Sequence, residues 1–130
     1  MTLLLDTSIL IALERGNNEV QSRLDVLQGA HPQSPRISFM THVEFLYGIE
    51  ALPLEKKAKA REFLLNFDVL HATNATAVLL SGLKHKYDRL GKQKSLTDLF
   101  IASQALEHNL TLITQDKDFN DLEEVQKIIV

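Results

Sequence analysis

Four acidic residues far apart in the chain, Asp6, Glu44, Asp98 and Asp116, carry the chemistry this sequence can do. Each follows a short apolar run that reads as a strand or opens a stretch that reads as a helix. In an open parallel sheet such positions gather beyond the carboxyl ends of the strands, where ligands bind. Carboxylates collected there repel, and each holds its proton more tightly. A divalent cation removes that penalty. Magnesium and manganese take carboxylate and water oxygens, whereas zinc takes histidine or cysteine. The chain has no cysteine, and its five histidines, His31, His42, His71, His85 and His108, show no paired ligand spacing. Asp6, Asp98 and Asp116 are the expected direct ligands of one Mg²⁺ (or Mn²⁺) or of a pair about 4 Å apart, a site that activates water and stabilises the leaving oxygen of a phosphodiester. Glu44 is expected to bind metal, or to orient or deprotonate the attacking water. Thr7, Ser8 and Thr114 place hydroxyls beside these acids, for hydrogen bonds to them or for a phosphate contact.

Each residue also has a structural reading. Asp6, Thr7 or Ser8 serves equally as a helix cap. Asp116 reads as a turn residue, with Asp118 as an adjacent competitor. Thr41-His42-Val43-Glu44 matches a capping box, with Thr41 as the N-cap and Glu44 reaching back to it. Asp98 has the strongest physical case. Ile101, Ala102 and Ala105 follow it at three, four and seven positions, so its carboxylate shares the apolar face of its helix. A carboxylate there is costly unless paired or bound to metal. An acid in a solvated first turn is the alternative, and Ser95 or Thr97 can supply the cap.

These acids need elements to position them. The pattern predicts strands over Thr2–Leu5, Arg36–Met40, Asp68–His71, Leu110–Thr114 and Val125–Val130. It predicts helices over Ser8–Glu14, Asn18–Gln28, Thr41–Ala51, Leu54–Asn66, Thr76–Leu90 and Thr97–His108, and a short turn near Phe119. Gly29–Pro35 and Gly91–Ser95 read as loops. Strands alternating with helices predict an α/β domain with a mostly parallel sheet.

At 130 residues the chain makes about one domain, residues 1–130. Hydrophobic residues at 45% and charged residues at 24% are ordinary for a soluble protein. The absence of cysteine excludes a thiol nucleophile and a disulfide scaffold, and fits a reducing, cytoplasmic setting. No secretory signal or membrane span is expected, since the first apolar run is only Leu3-Leu4-Leu5. The net charge of −3 offers no general basic surface, so binding to nucleic acid must rest on a local site. Lys84, Lys86, Arg89, Lys92 and Lys94 cluster before Asp98. Lys92 and Lys94 in particular are candidates for RNA phosphate contacts, with a solvated helix face as the alternative.

Four blocks of the sequence resemble the motifs of PIN domains, and of the VapC-type toxins among them. Leu4-Leu5-Asp6-Thr7-Ser8 resembles the opening motif, and Val43-Glu44-Phe45-Leu46-Tyr47-Gly48-Ile49 the helix of the second acid. Thr97-Asp98-Leu99-Phe100-Ile101-Ala102 resembles the helix of the third acid. Leu112-Ile113-Thr114-Gln115-Asp116-Lys117-Asp118-Phe119 resembles the final acidic motif. The blocks occur in family order and span almost the whole chain. Residues 51–96 carry little motif content. The resemblance implies a PIN-like three-layer α/β/α fold with a central, mostly parallel sheet of four or five strands. It implies that Asp6, Glu44, Asp98 and Asp116 form the catalytic metal site of a Mg²⁺- or Mn²⁺-dependent endoribonuclease. It further implies a homodimer, and a cognate antitoxin protein that occludes the site and assembles with it into a hetero-oligomer. An Arg or Lys of that antitoxin is expected to enter the acidic site. Two other classes stay open: a degenerate PIN-like module that binds RNA or a partner without cutting, and a phosphatase of the haloacid-dehalogenase kind. The latter wants Asp-x-Asp after the first strand, where this chain has Ser8.

Overall fold

Leu3, Leu4 and Leu5 are each fully buried, and alternation along the strand sends them to opposite sides of a sheet. Leu3 and Leu5 pack into one core cluster and Leu4 into another. Only a strand covered on both faces needs three consecutive apolar residues, which is the condition of a parallel sheet between two layers of helices. The computed structural model describes residues 2–30 and 33–130 and shows that arrangement. The order of elements is β1 (Leu3–Leu5), α1 (Thr7–Glu14), α2 (Asn18–Ala30), β2 (Arg36–Ser38), α3 (Phe39–Ile49) and α4 (Leu54–Leu64). There follow β3 (Asp68–Leu70), α5 (Asn74–Arg89), α6 (Leu96–Glu107), β4 (Thr111–Thr114), a 3₁₀ turn (Lys117–Phe119) and β5 (Lys127–Ile129).

The strands form one parallel sheet in the order β3-β2-β1-β4-β5. One core cluster joins α1 to α4 to the first face, through Ile9, Leu10, Val20, Leu24, Phe45, Ile49, Ala60 and Leu64. The other joins α5 and α6 to the second face, through Leu83, Tyr87, Leu99, Ile101, Ala102 and Ala105. The fold is the expected three-layer α/β/α, with five strands. The chain runs outward from β1 to β2 and β3, then returns to the far side of β1 for β4. That reversal puts a topological switch point between β1 and β4, where open α/β sheets hold their ligands.

Some boundaries differ from the expectation. The strand expected over Arg36–Met40 ends at Ser38, where its pairing with β3 ends, and α3 begins at Phe39. Ser38 is the N-cap, its hydroxyl accepting from the Met40 amide at 3.1 Å. Thr41 therefore lies inside the helix, and the capping box expected from Thr41 and Glu44 does not form. Gly29 and Ala30, expected in a loop, continue α2, while His31 and Pro32 lie outside the described residues. Helices α5 and α6 both end in hydrogen-bond pairs that require a left-handed residue. Gly91 (φ 71°) closes α5, with Lys92 N–H donating to the Tyr87 carbonyl at 3.0 Å. Asn109 (φ 53°) closes α6, with Leu110 N–H donating to the Ala105 carbonyl at 2.8 Å, and turns the chain into β4.

Gln104 sets the placement of α6. Its side chain is fully buried. Its Oε1 accepts from the Phe39 amide at 3.0 Å, and its Nε2 donates to the Leu70 and His71 carbonyls at 3.1 and 3.3 Å. One amide thus fastens α6 to the start of α3 and to the end of β3. Gln104→Leu keeps the volume but strands the partners of these bonds. A loss of about 3 kcal/mol is expected, from about 1–3 kcal/mol per buried polar group left unpaired. Urea unfolding should show it as a lower midpoint at unchanged slope; a loss below about 1 kcal/mol would show that water replaces the amide.

Candidate metal centre

Asp6 is the residue after β1 and the N-cap of α1, accepting from the Ile9 amide at 3.1 Å. It is only 4% exposed. Ser8 donates to its Oδ1 at 2.6 Å, and the Thr114 hydroxyl donates to its Oδ2. Burial pushes the Asp6 carboxyl above its ordinary range; the Ser8, Thr114 and Ile9 hydrogen bonds oppose this, and the charge of Asp116 adds to it. Both structural readings of Asp6 therefore hold together: it is a cap, and it is a buried acid facing another acid.

Thr114, at the end of β4 and fully buried, is the hinge pin of the arrangement. The same hydroxyl that donates to Asp6 accepts from the Asp116 amide at 2.9 Å. Ser8 makes a parallel link, donating to Asp6 and accepting from the Gln115 amide at 3.1 Å. One hydroxyl at the end of β4 and one in the first turn of α1 thereby hold the loop after β4 against the end of β1. Asp116 caps the 3₁₀ turn, accepting from the Asp118 amide at 2.8 Å.

Asp98 lies in the first turn of α6, capped by Ser95, whose hydroxyl accepts from the Asp98 amide at 3.0 Å. Because α6 precedes a parallel strand, its N-terminus lies at the carboxyl edge of the sheet. Leu99, Ile101, Ala102 and Ala105 are buried, and Asp98 is half-buried beside them. Burial is the main cause that raises its carboxyl; the Ser95 hydrogen bond opposes it, and the charges of Asp116, Asp6 and Asp118 raise it further. Three segments distant in sequence therefore feel one another's charge.

Carboxylate oxygens of Asp98, Asp116 and Asp118 all lie within 4.8 Å of one another. This set differs by one residue from the expected ligands: Asp118 is in it, and Asp6, both of whose oxygens accept hydrogen bonds, is not. The spacing of Asp118 was visible in the sequence, since a 3₁₀ turn opened by Asp116 brings the residue two places on to the same end. Glu44 stands apart. It accepts from the Thr7 hydroxyl at 2.5 Å, and the Thr7 oxygen, its one proton given to Glu44, pairs with the Thr41 hydroxyl at 3.1 Å as acceptor. Glu44 is joined to the centre through Thr7, the neighbour of Asp6, rather than by sharing the cluster. Lys94 is not a free cation: it bonds the Asp118 carbonyl at 2.6 Å and the Asp121 carboxylate. Lys92 lies 3.5 Å from Asp121 and is half-exposed. His42, near Glu44 in sequence, has a buried Nδ1 without a hydrogen-bond partner and lines a cavity with Phe39, Asp68 and His71.

A family model described as PIN domain matches residues 3–125. The chain belongs to the PIN domain family. No curated protein matches it. Among solved structures, this PIN domain is similar to VapBC-1 from nontypeable Haemophilus influenzae, at 26% identity and a TM-score of 0.82 over 99% of this chain and 98% of that one. It is similar to a toxin-antitoxin complex from Klebsiella pneumoniae at 28% identity and a TM-score of 0.77, covering 95% of each chain. VapBC2 from Rickettsia felis, bound to a DNA fragment from its promoter, shares the fold with a TM-score of 0.87 at 20% identity, over 100% of this chain and 99% of that one.

The raised Asp98 carboxyl has a thermodynamic sign. Below its unfolded value both states hold the proton and the fold loses nothing. As pH rises past that value the unfolded chain ionises more readily, so the carboxylate destabilises the fold, in full above the raised folded value. In chelator, Asp98→Asn should therefore melt above the parent near pH 7.5, and the gap should narrow as the pH falls toward 4. Added Mn²⁺ should raise the melting temperature of the parent more than that of the variant. A gap that does not change with pH would show that the Asp98 charge costs the fold nothing.

Proposed function

We propose that this PIN domain is a Mg²⁺- or Mn²⁺-dependent endoribonuclease, and the toxin of a toxin-antitoxin pair. The observation that carries the proposal is the convergence of the Asp98, Asp116 and Asp118 carboxylates, with buried Asp6 behind them. The donor set fits the cation: its oxygens are hard and anionic, Asp98 is held above its ordinary range by burial and then by its acidic neighbours, and among the described residues no nitrogen or sulfur donor joins it. Bound there, a divalent cation supplies charge stabilisation for a phosphodiester and a water of lowered pKa.

The chain's own residues do the rest. Asp98, Asp116 and Asp118 hold the cation, and Asp6 adds charge from behind. Thr114 and Ser8 keep Asp6 and the β4 loop at a set separation. Glu44, held by Thr7, orients the attacking water or takes its proton. Lys92, half-exposed, meets RNA phosphate. The similar structures from Haemophilus influenzae and Klebsiella pneumoniae are a VapBC and a toxin-antitoxin complex, which supports a cognate antitoxin for this chain. A basic antitoxin side chain, Arg or Lys, would complement the acids. A second copy of the chain would cover the exposed Val43, Leu46 and Tyr47 of α3. No helix among the described residues is long and apolar enough to cross a membrane, and the proposed setting is the cytoplasm.

Asp98→Asn and Asp116→Asn should each lower RNA cleavage by about 10³-fold or more, the rate equivalent of several kcal/mol of charge stabilisation, with circular dichroism unchanged. Growth arrest on expression should be lost with it. Full cleavage by either folded variant would sink the proposal. A parent chain that binds neither Mg²⁺ nor Mn²⁺ by calorimetry would instead be a module that binds without cutting.

A further inference from the structure

Lys94 is buried out of proportion to its charge. Its side chain is only 10% exposed, and lysine is rarely so enclosed unless paired. It lies in the loop between Gly91, which ends α5, and Ser95, which caps α6 and holds the Asp98 amide. Its ammonium crosses to the other acidic segment, donating to the Asp118 carbonyl at 2.6 Å and to the Asp121 carboxylate. Lys92 reinforces Asp121 from the same loop, and the two lysines hold the Asp121 carboxyl below its ordinary range. Asp121 is anchored in turn beside Phe119 and Leu122, each 1% exposed.

The acids of the cluster arrive on two segments: Asp98 on the first turn of α6, and Asp116 with Asp118 on the turn after β4. Their mutual repulsion pushes these segments apart. Lys94 grips the backbone of Asp118 and the carboxylate of Asp121, and so leaves the Asp98, Asp116 and Asp118 carboxylates to a cation. We propose that Lys94, backed by Asp121 and Lys92, is a positioning residue that straps the two acidic segments together, so that a divalent cation meets all three carboxylates at once. The proposal rests on the metal-site reading above, and it gives Lys94 a different task from contacting RNA phosphate.

The test uses the full chain and Mn²⁺ alone. Calorimetric titration of Lys94→Met should show Mn²⁺ affinity lowered roughly tenfold to hundredfold, the usual cost of losing a group that orients metal ligands. Lys94→Arg should recover most of it. At saturating Mn²⁺ the Met variant should regain kcat with its KM for RNA unchanged, and its binding of a labelled RNA in chelator should match the parent. Unchanged Mn²⁺ affinity in folded Lys94→Met would overturn the proposal. Weaker RNA binding, with a salt slope reduced by about one, would assign Lys94 to phosphate instead. Should Lys94→Met not fold, Asp121→Asn replaces it: Mn²⁺ affinity should fall in the same direction by a smaller factor, and no change would overturn the strap. Asp98→Asn separates the two levels. If it binds Mn²⁺ as tightly as the parent, the metal-site reading fails and the strap falls with it. If it loses Mn²⁺ while Lys94→Met keeps it, only the strap fails.

Discussion

Repulsion among carboxylates is the constraint around which this fold is arranged. Oxygens of Asp98, Asp116 and Asp118 converge within 4.8 Å, and Asp6 adds a buried acid close enough to be felt by Asp98. Charges of one sign in a half-buried setting scatter unless the backbone that carries them is held by something stronger. The neutral devices here are hydroxyls. Thr114 and Ser8 each serve Asp6 on one side and a backbone amide of the β4 loop on the other. A hydroxyl can donate and accept at once, which lets it join an acid to an amide without adding charge.

The hydroxyls are held in turn by the sheet. β1 and β4 are neighbours in parallel register, Leu5 opposite Ile113, and both strands are buried on both faces. Burial of such side chains contributes on the order of 2 kcal/mol each, so the strand ends cannot drift to relieve the acids. Helix α6 brings the third segment. Its apolar face locks into the second core cluster, and Gln104 fixes its position against α3 and β3. The acid at its start is therefore presented from a rigid element rather than from a loop, which fixes its place in the cluster.

Glu44 shows how local and tertiary preferences compete. A capping box over Thr41–Glu44 is a sound local motif, yet Ser38 caps the helix earlier because strand pairing ends there. Freed from capping, Thr41 and Glu44 both turn to Thr7 on the neighbouring helix. Lys94 shows the converse. In sequence it belongs to a basic run that suits phosphate, and in space it is engaged by the acidic loop.

The sequence by itself determined the class of fold and which acids were candidates for one site. Alternation of short apolar strands with amphipathic helices leaves few arrangements besides a parallel sheet between helices. Acids at strand ends and helix starts then fall on one edge. Asp98 was legible because a carboxylate at three and four residues before Ile101 and Ala102 must share their buried face. Tertiary structure alone decided which oxygens meet. Asp118 joins Asp98 and Asp116, and Asp6 is held by Thr114, because strand register and the 3₁₀ turn bring those segments together. Buried Gln104 and enclosed Lys94 were invisible for the same reason. Their partners lie in distant segments, Gln104's 33 to 65 residues away and Lys94's 24 to 27, and no local pattern encodes which segments the sheet order brings together.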